Sequence, residues 1–324
     1  MLEKPELSLV IPVYNEEESL DKLCQWIDRV MEENKISHEV ILVDDGSRDR
    51  SWSVISQLTC NQPHYKGIRF SRNYGKSAAL DTGFRLSSGK VVVTLDADMQ
   101  DSPDEIPLLL DMLKNGDYDL VSGWKKTRHD PISKTIPSRF FNFITRKISG
   151  IRLHDFNCGL KAYRSEVVKN IRVYGEMHRY IPVIAKWQGF DRIGEKSVTH
   201  YPRKYGKTKF GLERFINGFL DLISITFVMR FIKKPMHFFG SLGTLSFLVG
   251  LAITIYIISH KIYQIRNHIQ PIRDITDQPL FYLALVAVII GVQMFLTGFL
   301  AEILTLNSDK TSQYIILERK GFSD

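Results

Sequence analysis

Two 22-residue stretches in the C-terminal third of the chain, Phe238–Ser259 and Leu280–Ala301, contain no charged side chain. At about 1.5 Å per residue each forms a helix about 33 Å long, enough to cross the hydrocarbon core of a bilayer. Two such tracts in tandem predict a transmembrane hairpin rather than a pair of buried soluble helices. Cations before it (Arg230, Lys233, Lys234) and after it (Lys310, Arg319, Lys320) are balanced by Lys261, Arg266 and Arg273 between the tracts. Charge bias therefore orients the hairpin poorly, but an even number of crossings places both flanks on one side.

The remainder is long enough for one substantial domain. Its opening, MLEKPELSLVIPVYNEEE, has no long apolar core behind a basic start, so no secretory signal is expected. A cytoplasmic location for the large domain follows as an expectation. The formal charge of +7 suits phosphate ligands or an anionic membrane surface. No basic run interleaved with aromatics supports nucleic-acid binding. Cys24, Cys60 and Cys158 lack metal-ligand spacing and are expected to be reduced.

The first hundred residues alternate apolar runs with helix-length connections. LSLVIPVY, HEVILVDDGS, YKGIRFSRN and KVVVTLDAD read as strands, with helices expected near 17–33, 49–58 and 76–87. This pattern predicts an α/β fold with a mainly parallel sheet covered on both faces. Further on, YDLVSGWK and LHDFNCGLKAYR read as returns to the sheet, and SRFFNFITRKIS as an amphipathic helix. The expected divisions are a catalytic domain over 1–209, interfacial helices over 210–235, a two-helix membrane domain over 236–306 and a tail over 307–324.

Polar residues gather at the C-terminal strand ends, where open α/β sheets bind ligands. Asp96 and Asp98 follow Val91–Thr94; if the extended backbone persists, side chains two apart face one site. Two carboxylates placed together call for a cation, and oxygen ligands suit Mg²⁺ or Mn²⁺, shared with a diphosphate. Asp44 and Asp45 end the second strand, beside Pro12, Tyr14, Asn15 and Glu16 from the first. A carboxylate there can accept a base or ribose proton, or cap the next helix. Neither a GxGxxG dinucleotide turn nor a GxxxxGK[ST] phosphate loop is present. Arg72, Lys76, Arg128, Arg203, Lys204, Lys207 and Lys209 lie in loop or transition segments suited to phosphate.

Taken in order, VIPVYNEEESL, VDDGSRD, RNYGKSAAL, TLDADMQDSPDEIP, DFNCGLKAYR and RKYGKTKFG, ending in paired crossings, resemble polyprenyl-phosphate glycosyltransferases. These belong to glycosyltransferase family 2, which has the GT-A fold. The resemblance implies that Pro12, Tyr14, Glu16 and Asp45 line the base and ribose pocket. Asp96 would contact the donor's diphosphate or sugar, while Asp98 and Gln100 would hold the metal. Arg128 and Arg203 would place donor and acceptor phosphates, and Asp155 would lie near the sugar. Thr208-Lys209 stands where the family often has Ser-Lys, keeping the hydroxyl and the cation. His178-Arg179 resembles the bacterial form of the acceptor-side segment.

The activity so implied is inverting transfer of a hexose from a nucleotide sugar to a polyprenyl phosphate. UDP-glucose is the favoured donor and GDP-mannose the alternative. The expected setting is a bacterial inner membrane, with undecaprenyl phosphate as the lipid; related enzymes can assemble as tetramers. A processive polysaccharide synthase would need more crossings and a QxxRW-like motif. A silent adaptor would not need the acidic strand end with its basic loops.

Overall fold

Strand β2 (His38–Asp44) is apolar on both faces, as a central parallel strand must be. Val40 and Leu42 join a core with Leu7, Leu9, Ile11 and the first helix, while Ile41 and Val43 join another with Ile68, Phe70, Ala78 and Ala79. Alternate side chains thus supply both layers. The computed structural model describes residues 4–126, 142–202, 235–269, 274–306 and 316–321. Arg128, Arg203, Lys204, Lys207 and Lys209 lie outside these residues, as does the expected interfacial segment up to residue 234.

In chain order the elements are β1 (Leu7–Val13), α1 (Leu20–Glu33), β2, α2 (Ser51–Asn61), β3 (Tyr65–Phe70), α3 (Lys76–Leu86) and β4 (Val91–Thr94). After α4 (Ile106–Asn115) and β5 (Leu120–Trp124) comes α5 (142–149). Then follow β6 (Lys161–Arg164), α6 (Ser165–Asn170), α7 (Ile181–Trp187) and β7 (Ile193–Ser197). The last elements are α8 (Pro235–Arg266), α9 (Pro279–Leu306) and β8 (Ile316–Lys320). The sheet runs β7-β5-β6-β4-β1-β2-β3-β8. Strands β4, β1, β2 and β3 are parallel; β6 lies antiparallel between β4 and β5, and β8 antiparallel on β3.

The chain forms two compact units: Met1–Ile223 with Gln313–Asp324, and Ser224–Ser312. Strand β8, read from the sequence only as part of a tail, returns to the first unit's sheet. There Trp52 Nε1 donates to Glu318 Oε2 at 2.7 Å, and the Lys320 ammonium lies 5.5 Å from the same ring. In the second unit, α8 and α9 are both long and apolar enough to cross a membrane. They pack through small residues. A Cβ on Gly243 would come within 2.6 Å of the Gly291 carbonyl, and one on Gly250 within 2.8 Å of the Ala284 carbonyl. Ser246 Oγ also donates to the Ala287 carbonyl at 2.9 Å. Close backbone approach of this kind holds apolar helices together where burial from water cannot.

Candidate active site

The parallel strands end at Val13, Asp44, Phe70 and Thr94, and the segments beyond them are tied to one another. Asn15 takes a left-handed φ of 56°, a conformation asparagine tolerates. Its backbone amide donates to Ser47 Oγ at 2.9 Å, while its side-chain oxygen accepts from the Arg48 amide at 2.8 Å. Glu16 N donates to Ser51 Oγ at 2.9 Å, and Arg50 N to Glu17 Oε2 at 2.7 Å. Four reciprocal bonds thus fasten the turn after β1 to the turn after β2.

Asp45 extends the fastening to the segment after β3. Its carboxylate accepts from the Tyr74 and Gly75 amides at 2.7 and 2.9 Å, setting the entry to α3. Burial pushes this carboxyl up to about 6 despite those donors. Between an unfolded-state value of about 3.9 and that folded value, the folded chain holds a proton that the unfolded chain has released. The group therefore favours folding most at low pH, and its contribution fades as pH rises through about 6. Thermal melts of wild type and Asp45→Asn should show the variant gaining a few degrees on wild type between about pH 4 and 6. A pH-independent difference would contradict this.

Gly46, with φ of +71°, lies where the two loops touch; a Cβ there would stand 2.5 Å from the Arg72 carbonyl carbon. Gly46→Ala should force the Arg72–Asn73 backbone away and lower the melting temperature by several degrees. A variant that melts like wild type would contradict this. Tyr14, Ser47, Arg48, Arg69 and Arg72 line a cleft of about 290 Å³ beside Gly46. The Arg72 guanidinium lies 4.9 Å from the Tyr74 ring, and Arg69 Nε is 3.5 Å from Asp44 Oδ2. Asp44 Oδ1 accepts from Ser47 N at 2.9 Å, whereas Asp49 Oδ1 receives the Ser51 amide at the start of α2 at 3.0 Å.

Past β4 the backbone turns earlier than alternation would require. The strand stops at Thr94, Ala97 and Asp98 lie in a turn, and Met99 takes a φ of 57°. The turn, rather than a continued strand, sets the directions of the two acids. Asp96 is half-exposed and ion-paired with Lys76; Asp98 is buried, its Oδ1 accepting the Gln100 amide at 3.2 Å. A Cβ on Gly159 would lie 2.5 Å from Asp96 Oδ2, so this glycine is what leaves room for the carboxylate. The side chains of Asp96, Asp98 and Gln100 offer oxygen donors on this one turn, the donor chemistry that Mg²⁺ or Mn²⁺ takes.

Asp101, Lys125 and His200 lock the turn from below. Asp101 is completely buried, with Lys125 Nζ at 2.8 Å and His200 Nδ1 at 3.3 Å. Burial would raise its carboxyl, but the Lys125 charge holds it well below the usual carboxylate range. Tyr201 N donates to the Gln100 carbonyl at 2.8 Å, so the segment leading to Arg203 begins against the acidic turn. On β6, Lys161 is buried and donates to the Cys158 carbonyl. Burial lowers its pKa, opposed by Cys158, Asp155 and Asp96. Asp155, itself buried, accepts the Asn157 amide at 3.0 Å through Oδ1.

Residues 8–172 match the profile "Glycosyl transferase family 2". A dodecaprenyl-phosphate galacturonate synthase of Rhizobium johnstonii is 36% identical, aligned over 98% of this chain and 94% of its own length. The chain belongs to glycosyl transferase family 2. An undecaprenyl-phosphate 4-deoxy-4-formamido-L-arabinose transferase of Yersinia pestis is 34% identical over 79% of this chain and 77% of that protein. Among solved structures, glucosyl-3-phosphoglycerate synthase from Mycobacterium tuberculosis, in complex with Mn²⁺ and UDP-glucose, superposes with a TM-score of 0.54. That match, at 19% identity, covers 69% of this chain and 79% of the other, and shows the common GT-A fold.

In this family 2 chain, Tyr14 and Arg72 share one cleft, with Asp45 fastening the segment beside it. Pro12 is half-buried on β1, and Glu16 Oε2 accepts from Ser19 Oγ at 3.1 Å at the approach to α1. Lys76 meets Asp96, and Gln100 Nε2 reaches the Tyr201 carbonyl at 3.5 Å. His178 lies against α3, its amide 3.0 Å from Ser77 Oγ. Sequence reading passed over Arg48, Arg69, Lys125, Lys161 and His200. Lys161 opens β6, whose four residues, KAYR, include a second cation at Arg164, so charge alone did not single it out. Lys125 and His200 are 75 residues apart and meet only through the bridge between Asp101 and His200.

Proposed function

We propose that the chain transfers a sugar from a nucleotide-sugar donor to the phosphate of a polyprenyl lipid at a membrane surface, with inversion at the anomeric carbon. The carrying observation is the likeness to the dodecaprenyl-phosphate galacturonate synthase, which spans nearly the whole of both chains. The acceptor phosphate is already anionic near neutral pH, so no base has to remove a proton from it. The protein's work is to align two anionic substrates, offset their repulsion and stabilise the departing nucleoside diphosphate. Pro12, Tyr14, Glu16 and Asp45 form the nucleoside side, and Arg72 and Lys76 the diphosphate side. Asp96, Asp98 and Gln100 would hold Mg²⁺ or Mn²⁺, which when bound shares the diphosphate charge. We assign Asp155 to the neighbourhood of the sugar, Arg128 and Arg203 to the donor and acceptor phosphates, and Lys209 to the donor.

The helices α8 and α9 are the proposed anchor, preceded by interfacial helices over 210–235, with residues 1–209 as the catalytic domain. The proposed setting is a bacterial inner membrane with the catalytic domain cytoplasmic, and a tetramer is the proposed assembly. UDP-glucose is the proposed donor. Galacturonate is a second reading, favoured by the name of the relative aligned over 98% of the chain. A panel of labelled UDP-glucose, UDP-galacturonic acid and GDP-mannose with membrane lipid extract and Mg²⁺ or Mn²⁺ separates them. One UDP-sugar should label a lipid-extractable product. Absence of lipid product with every donor would sink the proposal.

A further inference from the structure

At the opposite ends of the strands from Asp96 and Asp98, three side chains from three elements converge. Asp28 lies on α1, His38 opens β2, and His64 immediately precedes β3. Asp28 Oδ1 is 3.1 Å from His64 Nε2 and 3.6 Å from His38 Nε2, and one ligand atom from each residue lies within 4.8 Å of the others. We propose that Asp28, His38 and His64 form a Zn²⁺ site distinct from the acidic turn after β4.

Three observations carry it. Tetrahedral zinc with ligand bonds of about 2.0–2.2 Å sets neighbouring ligand atoms about 3.3–3.5 Å apart, and the two separations at Asp28 bracket that spacing. The His38 Nδ1–H has the Ile36 carbonyl at 3.2 Å, the outer bond that fixes a ligating tautomer with Nε2 free to bind metal. That Nε2 is buried and has no hydrogen-bond partner, an unusual state for a polar atom unless an ion completes it.

The alternative is an acid that only serves its neighbours, taking the Tyr65 hydroxyl at 2.9 Å and His64 at 3.1 Å. That arrangement leaves His38 Nε2 at 3.6 Å from the same carboxylate oxygen, too long for a hydrogen bond. The three residues line a cleft of about 610 Å³, which gives an ion an entry path and opens its fourth position to solvent or to Glu32, one turn along α1. Two imidazoles with one carboxylate suit zinc rather than the magnesium-class ion of an all-oxygen set. The ion would fasten α1 to the starts of β2 and β3.

Tag-free full-length protein in detergent, stripped with chelator and titrated with Zn²⁺, provides the test. Wild type and Asp98→Ala should each bind one tight equivalent. His64→Gln and His38→Gln should bind at least about 100-fold more weakly, with metal-free melting temperatures that show both variants folded. Zinc at about 100 times Kd should raise the wild-type Tm by several degrees and leave that of His64→Gln unchanged. Equal zinc affinity in the histidine variants, loss of the tight equivalent in Asp98→Ala, or no tight binding to wild type would each overturn the proposal.

Discussion

Asp98→Ala is expected to lower kcat for sugar transfer by about 10²–10³-fold, the usual effect of removing a preorganised group that stabilises charge forming in the transition state. The site offers little to replace it. Asp98 is buried in the turn that ends at Met99, and the neighbouring Asp96 is already paired with Lys76. The Asp98 carboxylate takes the Gln100 amide, so its loss also frees the residue proposed as the third oxygen donor. Since that bond is a local turn contact rather than part of the core, the melting temperature should change little. Asp98→Asn keeps the side-chain shape but loses the charge, and should be nearly as inactive. Transfer of labelled sugar to lipid, measured beside the melts, decides the matter. Near-normal turnover in either variant would remove Asp98 from the chemistry.

Asp101→Ala should act first on the fold. It would leave Lys125 and His200 in a buried place without their carboxylate, and breaking one partner of a buried pair costs about 3–5 kcal/mol. In a domain of this size that lowers Tm by about 6–20 °C. The Lys125 side chain is only 14% exposed, and Asp101 raises its pKa against the opposing effect of burial. Once unpaired it must either lose its proton or draw water inward. Lys125→Met in the same background removes the stranded charge and should recover much of the loss, because a buried pair is worth little beyond an apolar replacement of similar volume. A single variant that melts like wild type would show the trio to be incidental. No recovery in the double variant would assign the loss to Asp101's other contacts.

The strands and helices of the first domain were legible because a parallel sheet covered on both faces demands continuous apolar runs, which β1, β2 and β4 have. Both long apolar helices were legible for the same reason of composition. The departures arise where local pattern stops determining geometry. The period-two argument for Asp96 and Asp98 expires at Thr94, because Met99 takes a left-handed turn that no alternation rule anticipates. Asp45, expected to line the base and ribose pocket, also accepts two backbone amides of a loop 29 and 30 residues away, a contact that no local pattern announces. Strand β8 was missed because its pairing partner precedes it by some 250 residues, so nothing local marked SQYIILERK as an edge strand. The histidines of the proposed zinc site are 26 residues apart in sequence and meet only because β2 and β3 are neighbours in register.

The central claim is that the nucleophile is a phosphate oxygen, delivered to a site that supplies cations instead of a base. Incubating the purified full-length chain with its preferred nucleotide sugar and either undecaprenyl phosphate or undecaprenol, in equal detergent, tests it most directly. The account predicts glycosylation of the phosphate alone, with NMR of the product showing the anomeric configuration inverted. Comparable transfer to the free alcohol, or retention at the anomeric carbon, would contradict it.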